Sequence, residues 1–141
     1  NGKEVFEQVY GDENFAFIAG NTKFVCMNTN ALEYDYSHPV PDFDFISREA
    51  ADSARYSKTV AVMHVKPYDD QFNNNVARLF HAEIKKFPSL QFALHAHNHK
   101  LQTTDVFKDG IIYYGCASMK QRNYMVFTLT TNGYSYEVVN Y

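Results

Sequence analysis

The chain has 141 residues, 45% hydrophobic and 16% aromatic, with 13 Lys and Arg against 16 Asp and Glu for a net charge of −3. That length suits one domain, and such a composition buries enough apolar surface to offset chain entropy, which excludes a disordered polypeptide. A mildly acidic chain without a basic block is a poor general binder of nucleic-acid phosphates, and no apolar run nears the ~20 residues needed to span a bilayer.

Asn1 to Tyr10 predict a short helical turn. Phe15 to Ile18 and Lys23 to Met27 read as two strands around the turn residues Ala19-Gly20-Asn21-Thr22. Asn28 to Pro41, rich in Asn, Tyr and Asp, is aperiodic and reads as a loop, with Tyr34, Tyr36 and His38 placed to border a site. Asp42 is suited to cap a helix running to about Arg55, with Phe43, Ile46, Ala50 and Ala54 on one stripe. Thr59 to His64 is a continuous apolar run, the mark of a strand buried on both faces, and Pro67 ends it.

Asp69 and Asp70 are then expected to cap a helix from Gln71 to Phe87, whose Phe72, Val76, Leu79, Phe80, Ile84 and Phe87 recur at helical spacing. Pro88 closes it, and Leu90 to Leu94 begins a second buried strand. Beyond that the pattern changes. Thr103 to Lys108 and Ile111 to Cys116 flank Asp109-Gly110, and Tyr124 to Leu129 and Tyr134 to Val139 flank a turn with Asn132-Gly133; both are hairpin signals. The fold class is therefore mixed α/β: a βαβ unit followed by an antiparallel meander. Cys26 and Cys116 stand far apart in strand-like runs and read as small buried hydrophobes, a disulfide between them being left open. The opening Asn1-Gly2-Lys3 reads either as a chain that has lost a leader or as an internal piece of something longer, and the compartment stays open.

The chemistry lies in the histidines. His64 ends the first buried strand, and His95, His97 and His99 form H-x-H-x-H at and just beyond the end of the second. One helix lies between them, so a right-handed crossover makes the strands parallel and brings their carboxyl ends to the same sheet edge, where α/β folds bind ligands. In an extended segment His97 and His99 would face the same way, and neutral imidazoles presented together suit a metal ion. His38 and His81 read instead as ordinary satisfied side chains, His81 on a partly exposed helix face beside Lys85.

Val60-Ala-Val-Met-His64-Val-Lys-Pro67 followed by Leu94-His-Ala96-His97-Asn98-His99 resembles the last two metal-binding motifs of calcineurin-like metallophosphoesterases. Gly20 to Thr29 resembles the hairpin strand before those motifs, and Asp109-Gly110-Ile111 to Gly115 the hairpin after them. Most of residues 1–141 is covered. The resemblance implies the C-terminal half of a four-layer α/β/β/α sandwich, in which His64 and His97 ligate one metal and His99 the other. His95, Asn98, Tyr68 and His38 are then candidates for supporting or substrate-pocket positions. Ala96 stands where the family has glycine, and Val65 where a second histidine is common.

The family's earlier motifs, D-x-H, G-D-x-x-D and G-N-H-D/E, have no counterpart, so the catalytic residues and bridging carboxylate are expected outside this sequence, in an N-terminal half that would be its partner. The intact domain would be a hydrolase, a phosphatase or phosphodiesterase holding two divalent ions (Zn, Fe or Mn) and acting on a phosphate ester of unspecified class. Three histidines do not replace the carboxylates that offset repulsion between two close cations, so this chain alone is expected to bind metal weakly and to be nearly inactive. Two further readings stand beside this one: a non-catalytic metal-binding or interaction module, and a structural half-domain with vestigial histidines. An incomplete sheet also predicts self-association through an exposed edge.

Overall fold

The computed structural model describes residues 2–33, 38–52 and 55–141. Tyr34, Tyr36 and Ala54 lie outside them. The N-terminal segment is a full helix, α1 (Gly2–Tyr10), longer than the expected single turn. Gly11, at φ +89°, ends it by donating its N–H to the Glu7 carbonyl, a left-handed cap that residues with a Cβ adopt at a cost. β1 (Phe15–Ala19) and β2 (Thr22–Met27) then form an antiparallel hairpin closed by the Ala19–Thr22 pair. Asp42 caps α2 (Phe43–Ala51) as expected, its Oδ1 accepting from the Phe45 N–H at 2.9 Å.

β3 (Lys58–Met63), α3 (Ala77–Ile84) and β4 (Leu90–His95) form the βαβ unit. The helix is shorter than the apolar spacing suggested. Asn73, Asn74 and Asn75 interrupt it, and the Asn74 side chain accepts from the Tyr68 N–H and donates to the Asp69 carbonyl. Such local side-chain bonds compete with helix formation, leaving only a 3₁₀ turn (Asn74–Val76) before α3. Asp69 and Asp70 therefore cap nothing.

β5 (Gln102–Thr104) and β6 (Tyr113–Gly115) complete a six-stranded sheet of order β1-β2-β3-β4-β6-β5. β2, β3, β4 and β6 run parallel, while β1 and β5 pair antiparallel at the two edges. The hairpin expected around Asp109-Gly110 forms, but with shorter strands and an eight-residue connection in place of a tight turn. Val106, Phe107 and Ile111 leave the ladder to pack on the core, and the Asp105 carboxylate holds the Asp109 and Gly110 N–H groups. β7 (Asn123–Thr130) and β8 (Gly133–Asn140) form the second hairpin, with Thr131-Asn132 at its tip.

The period of two along each strand sorts the core into two faces. Val25, Met27, Ala61, Met63, Ala93 and Tyr113 face α2 and α3 through Phe45, Ile46, Phe80 and Ile84. Phe24, Val60, Val62, Phe92, Leu94 and Tyr114 face the β7–β8 hairpin. That interface is aromatic: Phe92 stacks on Phe127 at 4.5 Å between centroids, and the Tyr114 and Tyr134 hydroxyls bond at 3.0 Å. Helices, sheet and hairpin are thus three successive layers of a mixed α/β fold. No helix among the described residues is long and apolar enough to cross a membrane.

Candidate functional site

Parallel pairing of β3 with β4 brings His64 and the H-x-H-x-H segment to one edge. The strands remain linked one step beyond the sheet, where the Ala96 N–H donates to the His64 carbonyl at 3.1 Å. The His64 and His97 rings lie edge-to-face with centroids 5.3 Å apart. Loss of surrounding water, followed by the neighbouring His97 and His99 imidazoles, pushes the His64 pKa below the ordinary histidine value. At neutral pH its ring carries lone-pair nitrogen suited to a cation.

His97 and His99 do not alternate along an extended strand, as the spacing suggested. β4 ends at His95, and His97 and His99 have φ of +62° and +54°. The Asn98 N–H donates back to the Ala96 carbonyl at 2.7 Å, so His97 is the centre of a γ-turn of the rare positive-φ form. Its Nε2–H donates to Asp70 Oδ1 at 2.9 Å, leaving Nδ1 as the ring's remaining ligand atom. That hydrogen bond in turn holds the Asp70 carboxyl below its usual range. His99 is exposed, and Gln121 donates to its carbonyl from the 3₁₀ turn Met119–Gln121.

Two supports escaped sequence reasoning. Thr29 is fully buried just past β2; its hydroxyl donates to the Val65 carbonyl at 2.7 Å and accepts from the Val65 N–H at 3.1 Å. It thereby holds the residue that follows His64. Asp69 accepts from Lys66 through one oxygen and from the Asn98 side chain, at 2.8 Å, through the other. The sequence signals were a hydroxyl residue two positions past a buried strand and an acidic pair soon after His64-Val-Lys-Pro67.

His95 takes a different place. It is buried at the end of β4, and burial lowers its pKa. Its Nδ1–H donates to the Ala96 carbonyl at 3.2 Å, while Nε2 and the nearby Gln102 Oε1 are buried without hydrogen-bond partners. Gly115, paired with both residues across the sheet, makes the room: a Cβ there would come within 2.8 Å of the His95 ring.

Of the remaining candidates, Tyr68 is exposed with φ +69° and leans on Phe107 at 5.5 Å. His38 lines a cavity of about 270 Å³ with Glu7, Asp12, Glu13, Asn14, Pro39, Asp42, Phe45 and Arg48, a lining that includes none of the other candidates. His81 is buried, not partly exposed. It stacks on Phe107 at 3.9 Å, its Nε2–H donates to Asp109, and its Nδ1 lies 2.9 Å from the Tyr113 hydroxyl. Cys26 and Cys116 are free, half-buried thiols, and burial pushes both pKa values up.

The donor set therefore consists of a close imidazole pair, His64 and His97, with His99 alongside. Among the described residues no group of three or more His, Cys, Asp or Glu side chains is arranged to hold a metal ion. The pair fits part of a metal centre and not a complete one. The chain matches no family model and no curated protein.

Proposed function

We propose that this chain supplies the histidine side of a divalent-metal centre in a phosphoesterase of the calcineurin-like kind. The supporting observation is the His64–His97 pair, 5.3 Å apart at the carboxyl edge of two parallel strands, with the His64 pKa lowered. His64 and His97 would hold one ion and His99 a second, the remaining donors being carboxylates from outside this sequence. Divalent ions bound there supply activated water and offset the charge that develops on phosphoryl oxygens. The chain's own residues orient: Asp70 fixes the His97 tautomer so that Nδ1 is the free nitrogen, and Thr29 fixes the backbone after His64. A phosphate mono- or diester is the substrate class; this chain alone hydrolyses neither at a useful rate.

The second reading is a non-catalytic module that holds a single metal by itself, and the lack of a three-donor group among the described residues weighs against it. Elemental analysis of chain purified without chelator, beside His97→Ala, separates the two. Trace metal in the wild type, with Zn²⁺ or Mn²⁺ taken up weakly and lost in the variant, fits the phosphoesterase centre. Stoichiometric metal on the isolated chain supports the module. No uptake at millimolar Zn²⁺ or Mn²⁺ refutes both metal readings.

A further inference from the structure

We infer that Asp69 is a positioning residue that clamps the His97–His99 loop through Asn98, a role that deepens the metal-centre reading and rests on it. The loop needs a clamp. His97 and His99 both hold left-handed backbone, a conformation unfavourable to a residue with a Cβ, which persists only where the surroundings enforce it. The tight 2.7 Å contact from Asn98 N–H to the Ala96 carbonyl sits between them. Two side chains of this turn reach across to the other strand's loop: that of His97 meets the exposed Asp70, and that of Asn98 meets the shielded Asp69.

Asp69 is well placed to resist. Its side chain is only 12% exposed, as is that of its Lys66 partner, so the carboxylate is held from both sides and shielded from competing water. Its backbone is fixed as well: its N–H donates to the Lys66 carbonyl at 3.2 Å, and its carbonyl accepts from the Asn74 side chain at 3.0 Å. The result is a rigid acceptor at a set distance from His64, five residues along the same loop. Asp70, the neighbour that touches His97 directly, is 79% exposed and lacks this support. Asp69 thus sets where the His97 ring stands relative to His64, while Asp70 sets which nitrogen it offers.

The test reads the loop without metal first. Amide hydrogen exchange is measured on the chain and on Asp69→Ala, Asn98→Ala, the double variant, Asp69→Asn, and Glu137→Gln on the hairpin as control. Asp69→Ala is expected to speed exchange at Ala96 and Asn98 at least tenfold, while the Ala93 N–H, bonded to Ile112 within the sheet, changes far less. Asn98→Ala should match it, the double variant should add nothing, and Asp69→Asn, which keeps an acceptor, should restore most of the protection. A uniform rise across the chain, or unchanged Asn98 exchange, overturns the clamp. Zn²⁺ titration followed by the His64 and His97 imidazole resonances then gives the second readout, a 10–100-fold weaker affinity in Asp69→Ala. Equal affinity in wild type and variant overturns the inference. If the wild type takes no Zn²⁺, the metal reading fails, and the exchange rates still decide the clamp.

Discussion

Gly115→Ala tests whether the empty space beside His95 is part of the design of this edge. Gly115 is not among the residues with positive φ, so alanine suits its backbone, and any penalty must come from the side-chain contacts. The added methyl would lie 2.8 Å from His95 Cε1, 3.0 Å from His95 Nε2 and 3.0 Å from Gln102 Cβ. Carbon atoms prefer about 3.5–4.0 Å, so the overlap is at least half an ångström on two sides. Neither side yields easily, because β6 is held between β4 and β5, with the Cys116 N–H bonded to the His95 carbonyl at 2.9 Å. Overpacking of this kind costs about 1–3 kcal/mol, which for a domain of this size lowers Tm by roughly 3–10 °C. Thermal unfolding by circular dichroism measures it. The decisive comparison is the same substitution in a His95→Ala background, where the methyl finds room and the penalty should fall by about 1 kcal/mol or more. A Gly115→Ala protein as stable as the wild type, or a penalty unchanged in the His95→Ala background, refutes the steric account.

Four other outcomes follow from the packing. Thr29→Val strands the buried Val65 N–H and carbonyl and should cost about 2–3 kcal/mol in urea unfolding, whereas Thr29→Ser should cost much less; equal losses would show that the hydroxyl bonds do not matter. Phe92→Ala removes the ring between sheet and hairpin, with an expected loss of about 3–5 kcal/mol and faster amide exchange in β7 and β8 than in β2 and β3; uniform exchange would count against a separately docked hairpin. Burial alone would raise the Asp109 carboxyl, but hydrogen bonds from Lys85 and His81 outweigh it and hold the pKa well below the usual range. Its contribution is then full above the unfolded value of about 3.9 and declines from there until pH reaches the lower folded value, so Asp109→Asn should destabilise more at pH 6 than at pH 2.5; a gap independent of pH would refute this. No strand among the described residues pairs with the outer edge of β1, which exposes Phe15, Phe17 and Ile18, so light scattering should show association that Phe17→Lys reduces; a wild-type monomer at high concentration would refute it.

The parts legible in the sequence were those decided by hydrophobic period and local punctuation. Thr59 to His64 and Leu90 to Leu94 announced buried parallel strands through their apolar cores, Val60 to Met63 and Phe92 to Leu94, and the single intervening helix forced His64 and His97 to one edge. Asp42 was readable as a cap because its action is local. Long-range side-chain bonds were not readable. The apolar spacing from Phe72 to Phe87 continued past the point where Asn74 had already pulled the backbone into a turn. Asp109-Gly110 announced a tight hairpin, but Phe107 is drawn inward to the His81 ring, which opens the connection. Left-handed backbone at His97 and His99 had no sequence mark either, since no glycine stands there. The supports of the site, Thr29 and Asp69, act across 36 and 29 residues, and only the folded chain brings them into range.

The strand order has a consequence for how the molecule is made. Strands β1 to β4 stand side by side in the order in which they are synthesised, and β6 joins the same growing edge before β5 closes it. Nothing has to be threaded between strands already paired, and each addition needs only the stretch of chain just completed. The first three strands, β1 to β3, contain His64 but not His97, which follows β4. His97 arrives only with β4, and Gln121, which holds His99, only after β6 is in place. The histidine edge is complete only once β4 lies against β3 and the segment after β6 has reached His99.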